Sequence, residues 1–297
     1  MKISAHVNIT KPKTYNYPYL ECLQSFLPVC DEIIVVNGDP DNTDGSIDDI
    51  KKLSDKIKVY DYLWNDKEWD WTNICTHHQF GFEKCTGDWV IKLDIDYVLH
   101  ENYIQPILNQ LEGFLKLKVR PFGVNVRKAN ILLADTVMHK SQIPFIVNKK
   151  DYPKICYGIA YDRPDFMAAI IKEREKNGIF IGESIMNMNE MLRDIDACLL
   201  TYDFTFMDYQ QVLALRKANY TAYQKYENPC WTIKEEDLED EVMDKFRKML
   251  LARMDKKNSI IDICDHPIYI QDKVSKLTKD MLGYNMFGWV KKKCHYA

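Results

Sequence analysis

Two aspartates separated by one residue are the clearest candidates for chemistry in this sequence of 297 residues. Asp94 and Asp96 end an apolar run that starts at Asp88 and has the composition of a buried strand. A carboxylate in that position needs a partner, because removing an unpaired charge from water is costly. A hard divalent cation, Mn²⁺ or Mg²⁺, is a natural partner, with the phosphates of a substrate completing its coordination. The alternative is a helix N-cap and a surface aspartate.

A second acidic segment follows another apolar run. Five Asp and two Asn lie among the fourteen residues from Asn37 to Ile50, which suggests a calcium loop. An EF-hand requires Gly at position six and Glu at position twelve. With Gly45 at position six, Pro40 and Lys51 occupy positions one and twelve, and a start at Asp39 places Asp44 and Ile50 at positions six and twelve. Neither register fits, so an EF-hand is excluded.

Other catalytic motifs are absent from the sequence. It has no GxGxxG and no Walker loop, and GESIM at Gly182 lacks the second glycine of a nucleophile elbow. His77 and His78 are adjacent, so on one helix they do not face a common metal as residues four apart would.

Strands alternate with helices over the first hundred residues. We predict strands at Lys2–Asn8, Asp31–Asn37, from Lys56 and from Asp88, with helices at Tyr19–Phe26, from Ser46 to Leu53, and at Trp71–Cys85. This alternation predicts an α/β fold with a mostly parallel mixed sheet flanked by helices. Ligands of such sheets bind beyond the carboxyl ends of the strands, so both acidic segments should lie at one edge.

The sequence changes character after about residue 205, where long amphipathic helices with mixed charge are predicted. We therefore predict a core at 1–205 and a helical C-terminal extension at 206–297 that packs on it. The net charge of −4 gives no general reason to bind nucleic acid. No run approaches the roughly 18 apolar residues of a membrane span. We expect a cytoplasmic protein and leave peripheral membrane association open.

The order of these motifs resembles the family 2 glycosyltransferases, which have the GT-A (Rossmann-like) fold. The family pattern DEIIVVDGGSTDGT corresponds to DEIIVVNGDPDNTDGS here, with a short insertion. The family helix RNxGxxxAxGDW, which leads into LDxDE, corresponds to HQFGFEKCTGDWVIKLDIDY. In this sequence His78 and Gln79 replace Arg-Asn, and Tyr97 replaces the acidic residue after the DxD motif. The resemblance covers roughly Lys2 to Leu99.

This resemblance implies a UDP-, GDP- or dTDP-sugar donor and a glycan or glycoconjugate acceptor. Two groups of residues border the nucleotide on this basis: His6 and Asn8 after the first strand, and Asn37 and Asp39 after the second. His78 would lie near the diphosphate, and Lys11 and Lys92 are either cations beside it or ordinary solvated lysines. Asp94 would contact the ribose or a metal-bound water, while Asp96 would ligate the metal.

Family members supply the catalytic base from a segment after the DxD motif. The candidates are Asp162, Asp165 and Glu183, with Asp162 preferred, although either aspartate would also suit a helix cap. His266 is a further candidate for the metal or the diphosphate, or a structural histidine. The predicted function is metal-dependent, inverting sugar transfer in glycan biosynthesis. The alternatives are a nucleotidyltransferase, whose Gly-rich basic loop is absent, and a non-catalytic module that binds a glycan or nucleotide sugar.

Overall fold

The computed structural model describes residues 1–64, 71–133, 136–139, 143–153, 155–159, 167–171, 175–176, 179–180, 192–202, 204–218, 239, 241–244, 246, 248, 258–260 and 265–277. The described strands are β1 Ile3–Ile9, β2 Glu32–Asn37, β3 Ile57–Asp61, β4 Trp89–Leu93, β5 Tyr97–Leu99, β6 Gly123–Leu133, β7 Thr136–His139, β8 Ile143–Asn148, β9 Ile155–Ile159, β10 Met167–Ile171, β11 Glu175–Lys176, β12 Ile179–Phe180, β13 Leu192–Thr201 and β14 Asn258–Ile260. The described helices are α1 Tyr19–Phe26, α2 Ser46–Lys51, α3 Trp71–Lys84, α4 Ile104–Leu115, α5 Tyr209–Ala218 and α6 Gln271–Ser275.

One mixed sheet organises the described part of the chain. Eight of its strands lie in the order β14-β7-β6-β8-β4-β1-β2-β3, while β13 pairs with β5 and β6. The strands β3, β2, β1 and β4 are mutually parallel, as are β6 and β13. The pairs that β8 makes with β4 and β6 are antiparallel, as are those of β7 with its neighbours. The predicted α/β class, a mixed sheet flanked by helices, is confirmed.

Helices cover both faces of the parallel strands. Ile33 and Val35 of β2 belong to a core cluster with residues of α1, α2 and α4. Ile34 and Val36 point to the opposite face and pack with Phe82 of α3. Because both faces are buried, β2 is apolar at four consecutive positions rather than alternating, which explains the continuous run in the sequence.

A glycine lets α3 approach the sheet closely. A Cβ atom at Gly81 would lie 3.0 Å from Cγ2 of Val36 and 3.1 Å from Cβ of His6. Both contacts are tighter than ordinary van der Waals packing, so a side chain here would push the helix away from β1 and β2. Gly81 therefore fixes the distance between α3 and the strands that end at the acidic edge.

The helix α2 begins at Ser46, as predicted, and ends at Lys51, two residues before the predicted Leu53. Ser46 is the first helical residue, and Gly45 precedes it with a φ of 74°, in the left-handed region. The carboxylate of Asp44 accepts a hydrogen bond from the backbone N–H of Ser46 at 3.0 Å, and the side-chain oxygen of Asn42 accepts one from Ile47 at 3.0 Å. Asp44 and Asn42 thus provide the side-chain contacts that cap α2.

The described residues of the C-terminal part pack against the core. The strand β14 extends the main sheet by pairing with β7, and Ile270 and Val274 join a core cluster with Val98 and Ala129. Nζ of Lys273 donates to the carbonyl of Tyr17 in the loop after β1 at 3.2 Å. The boundary between residues 205 and 206 stays a prediction. Over the described positions no helix is both long and apolar enough to cross a membrane.

Candidate active site

The carboxyl ends of β1, β2 and β4 meet at one edge of the sheet. These strands are parallel neighbours, with His6 opposite both Ile34 of β2 and Lys92 of β4. Asn8, Asn37 and Asp94 therefore lie at the same edge, as the topology of a parallel sheet requires. This edge brings the predicted donor-binding residues and the Asp94-Ile95-Asp96 segment together.

Asn8 is an unpartnered polar side chain at this edge. Both the amide nitrogen and the amide oxygen of Asn8 are buried, and neither has a hydrogen-bond partner in the described structure. Leaving a buried amide unpaired costs about 1–3 kcal/mol, so such groups are rare in native proteins. An amide presents both a donor and an acceptor, which suits the edge of a nucleobase or a ribose hydroxyl.

Two histidines and a tyrosine form a buried cluster behind the edge. Nε2 of His6 lies 3.0 Å from the hydroxyl of Tyr157, and Nδ1 of His6 lies 3.5 Å from Nδ1 of His78. Burial, with a smaller effect of the nearby Lys92, lowers the pKa of His6 to about 3. Burial and the same lysine also hold the pKa of His78 well below its usual value. Both imidazoles are therefore neutral at pH 7 and supply no positive charge to a diphosphate.

The side chains of the predicted contacts after β2 are hydrogen-bonded within their own loop and to the end of β3. The side-chain nitrogen of Asn37 donates to Oδ1 of Asp61 at 2.7 Å and to the carbonyl of Asp39 at 3.0 Å. The carboxylate of Asp39 accepts hydrogen bonds from the backbone and hydroxyl of Thr43, at 2.8 and 2.7 Å. These bonds hold the loop in one shape at the sheet edge, while contact with a nucleotide stays a prediction for both residues.

Asp94 carries its negative charge beside two lysines. Nζ of Lys92 donates to Oδ1 of Asp94 at 2.8 Å. The Asp94 side chain is 40% exposed, with protein around its remaining surface. Burial opposes ionisation, but Lys92 and Lys128 together hold the pKa of Asp94 well below its usual range. Asp96 is buried, at 9% exposure, and its backbone carbonyl accepts a hydrogen bond from Tyr202 at 3.0 Å.

The donor set at this edge suits a hard divalent cation. Asp94 is ionised and Asp96 follows two residues later, and carboxylate oxygens are preferred ligands of Mg²⁺ and Mn²⁺. Among the described residues, no group of three or more His, Cys, Asp or Glu side chains is arranged to hold a metal. The oxygens of a diphosphate are ligands of the kind that would complete such a site.

The other predicted site residues lie in different surroundings. His266 is fully buried, and its Nδ1 lies 2.7 Å from the hydroxyl of Tyr202, so the structure does not group it with Asp94 and Asp96 as a metal site. Its role as a ligand stays a prediction. The three candidate bases, Asp162, Asp165 and Glu183, lie outside the described residues. His77 packs between Tyr62 and Trp64, with ring centroids 4.6 and 4.7 Å away.

Two residues near the edge have no counterpart among the sequence motifs. Tyr157, on β9, reaches His6, and Lys128, on β6, donates to the hydroxyl of Tyr97 at 3.0 Å. Both belong to strands that follow the matched motifs: Lys128 is on a strand of the main sheet, whereas β9 pairs with β10 in a separate two-stranded sheet and meets α3 through the backbone N–H of Tyr157, which donates to Gln79 at 2.9 Å. A pattern search over neighbouring residues does not find such contacts. An alignment of relatives would be the signal able to find them.

The chain was compared with known proteins in three ways. No curated protein matches it. Among solved structures, S. aureus TarS 1-349 is 11% identical with a TM-score of 0.42, covering 86% of this chain and 73% of that one. TarS 1-349 in complex with UDP-GlcNAc is 11% identical (TM-score 0.42; 97% and 80% covered), and in complex with UDP it is 12% identical (TM-score 0.39; 99% and 92% covered). Similarity at this level assigns no site residue.

The family comparison matches a segment that carries Asn37, Asp94 and Asp96, while β1 with Asn8 lies before it. The model described as Glycosyl transferase family 2 matches residues 14–173, more than half of the chain. This range includes β2, the helix α3 with Gly81, and the Asp94-Ile95-Asp96 segment. The chain belongs to glycosyl transferase family 2.

Proposed function

We propose that this protein is a metal-dependent, inverting glycosyltransferase that moves a sugar from a nucleotide-diphosphate sugar to a hydroxyl of a glycan or glycoconjugate. The observation that carries the proposal is the unpartnered, buried amide of Asn8 at the same edge as the ionised carboxylate of Asp94. A nucleotide sugar supplies both a group that bonds an amide and a diphosphate that completes a metal site. Family membership supports this class of donor.

The donor residues have separate roles in this proposal. Asn8 bonds the base or the ribose, and the loop with Asn37 and Asp39 borders the same nucleotide. The neutral imidazoles of His6 and His78 support the edge from behind, since burial keeps them uncharged. Asp94 and Asp96 would hold Mn²⁺ or Mg²⁺. That ion would offset the negative charge that develops on the departing diphosphate.

The transfer also needs a base for the acceptor. A carboxylate takes the proton of the acceptor hydroxyl as its oxygen attacks the anomeric carbon, and the bond from that carbon to the diphosphate breaks. Attack from the face opposite the leaving group inverts the configuration. Asp162 is the first candidate for this base, followed by Asp165 and Glu183. Each can be tested by replacing the carboxylate with the matching amide.

A panel of UDP-, GDP- and dTDP-sugars tests this function. Donor hydrolysis is measured with Mn²⁺, with Mg²⁺ and with a chelator, and binding of each nucleotide is measured by calorimetry. We expect one nucleotide class to bind and to be hydrolysed in the presence of the metal. Asp96→Asn should reduce hydrolysis by at least about 100-fold, the scale of losing one charge-stabilising group.

The matched control is Asp272→Asn, which removes an exposed carboxylate of α6 that pairs with Lys276. It should leave binding and hydrolysis unchanged. Binding without hydrolysis or transfer to any acceptor would instead favour the non-catalytic module. If no donor binds with either metal, the proposed function is wrong. The anomeric configuration of a transferred sugar, read by NMR, decides between inversion and retention.

A further inference from the structure

Lys92 is held inside the site rather than extended into solvent. Its side chain is 19% exposed, and Nζ lies 2.8 Å from Oδ1 of Asp94. The residue lies on β4 opposite His6, so β1 is packed against it on one side. A long ammonium side chain in such a place loses rotamer freedom and hydration, and the contact with Asp94 offsets that cost. Lys92 therefore has a fixed partner in the ligand-free protein.

The formal charges of Asp94, Asp96 and the two lysines that act on Asp94 cancel before any ligand binds. Asp94 and Asp96 contribute two negative charges. Lys92 and Lys128 contribute two positive charges, and both lysines act on the Asp94 carboxylate. The neighbouring imidazoles of the cluster are neutral and leave this sum unchanged. A balanced site attracts an isolated divalent cation weakly, because the lysines repel it as much as the aspartates attract it.

A divalent cation bound to a diphosphate presents a different charge pattern. Its phosphate oxygens offer negative charge to a lysine, while the cation offers positive charge to a carboxylate. Once Lys92 and Asp94 separate, the ammonium can face the phosphate oxygens and the carboxylate can face the cation. Ammonium and carboxylate then each gain a new partner, and neither is left buried without one.

We propose that Lys92 is a positioning residue that holds Asp94 in place in the ligand-free protein and couples the binding of the divalent cation to the binding of the nucleoside diphosphate. When both bind, Asp94 exchanges the ammonium for the cation, and Lys92 donates to a diphosphate oxygen. This inference rests on the proposed function, since it assumes that the edge takes a nucleotide diphosphate.

Direct binding measurements test the coupling without any turnover. Mn²⁺ binding is followed by the loss of the free-ion EPR signal, alone and with UDP, GDP or dTDP. For the wild-type protein we expect Mn²⁺ to bind at least about tenfold more tightly when the matching nucleoside diphosphate is present, given the charge balance of the site. Reciprocally, Mn²⁺ should tighten nucleoside diphosphate binding by the same factor.

Variants of Lys92 give the decisive comparison. Lys92→Met should bind Mn²⁺ alone about tenfold more tightly and the nucleoside diphosphate about tenfold more weakly, because one positive charge is gone. Lys92→Arg keeps the charge and should retain the coupling. Lys150→Met is the control, since it removes an exposed lysine that pairs with Asp88. Lys150→Met should bind Mn²⁺ and the nucleoside diphosphate with wild-type affinities.

The outcomes separate this inference from the proposed function. If the wild-type protein binds no nucleoside diphosphate with any metal, the proposed function fails. If it binds one and both affinities of Lys92→Met stay within about twofold of wild type, the role of Lys92 is refuted. Tighter nucleotide binding in Lys92→Met would also refute it. Lys92→Gln keeps a donor for Asp94 without the charge, and it provides the same test if Lys92→Met does not fold.

Discussion

Replacing Asn8 with leucine removes the unpartnered amide while keeping a side chain of similar size. In the ligand-free protein both polar atoms of Asn8 are buried without partners among the described residues, so the amide costs free energy of folding. Removing it should raise the free energy of unfolding by about 1–3 kcal/mol, the cost of one such group. For a protein of 297 residues, that corresponds to a rise in Tm of about 2–5 °C.

The same substitution should damage the site. If Asn8 bonds the nucleotide, then Asn8→Leu replaces two hydrogen bonds by an apolar surface and leaves ligand polar groups unpaired. Each such loss weakens binding by about 1–3 kcal/mol, so donor affinity should fall by about tenfold or more. The variant is therefore expected to be more stable and less able to bind, a combination found where a protein keeps a costly group for function.

Asn148→Leu is the matched control for this prediction. The Asn148 side chain is also buried, but its nitrogen donates to the carbonyl of Pro121 at 3.1 Å and to Asp151 at 2.9 Å. Leucine there should lower the free energy of unfolding and leave donor affinity unchanged. Urea unfolding and calorimetric titration of the nucleotide measure both quantities. The reasoning is refuted if Asn8→Leu destabilises the protein as Asn148→Leu does, or if it binds donor as wild type does.

Three further predictions concern the packing and charges that support the site. Gly81→Ala should lower the free energy of unfolding by about 1–3 kcal/mol through overpacking. The control is Gly113→Ala, where a Cβ meets no atom within 4 Å, and it should raise the free energy of unfolding by about 0.5–1 kcal/mol. Equal effects of the two substitutions in urea unfolding would contradict this account. Burial opposes ionisation of Glu32, but hydrogen bonds from Lys58, Thr86 and Ser4 lower its pKa to about 2, so Glu32→Gln should cost up to about 3 kcal/mol at pH 7. The difference in the free energy of unfolding between wild type and Glu32→Gln should persist above pH 4.5 and disappear as the pH falls to about 2. A difference that does not change with pH would argue against the lowered pKa of Glu32 as its cause. His6 is protonated below about pH 6.5 in the unfolded chain, but in the folded protein its buried imidazole is protonated only below about pH 3. His6 should therefore contribute a loss of about 2 kcal/mol of stability between pH 6.5 and 5, added to that of the equally buried His78, and a total loss just as large in His6→Gln would count against this cause.

The local structure of the first hundred residues is readable from the sequence because its signals are short-range. The helix α1 has the predicted bounds, and β2 differs from its prediction by one residue. Continuous apolar runs predict strands that are buried on both faces, and the parallel order of these strands then places Asn37 and Asp94 at one edge. The family resemblance rests on these same local motifs, so it is visible in the sequence alone.

The hydrogen bonding of the site is not readable in this way. Asn8, Asn37 and Asn148 are the same residue type, yet only Asn8 lacks partners, because partners are set by tertiary packing. Tyr157 and Lys128 reach the site from strands later in the chain, Lys128 from β6 of the main sheet and Tyr157 from β9 of a separate two-stranded sheet. Such contacts depend on long-range pairing, so no local spacing reports them.

The contact between Lys92 and Asp94 is likewise not readable from the sequence. A lysine two residues before Asp94 suits either a solvated side chain or a site residue, since alternate residues of a strand share a face. Its 19% exposure and the 2.8 Å distance to Asp94 decide between the two only once the sheet is folded. Burial behind the edge likewise turns His6 and His78 from possible cations into neutral groups.

A crystal structure of the protein with Mn²⁺ and the nucleotide selected by the donor panel tests the central claim most directly. The account predicts a nucleotide at the carboxyl ends of β1, β2 and β4, within hydrogen-bond distance of the Asn8 amide. It also predicts the metal between the diphosphate and the carboxylates of Asp94 and Asp96. A nucleotide bound elsewhere, with the Asn8 amide still unpartnered and Lys92 still on Asp94, would contradict it.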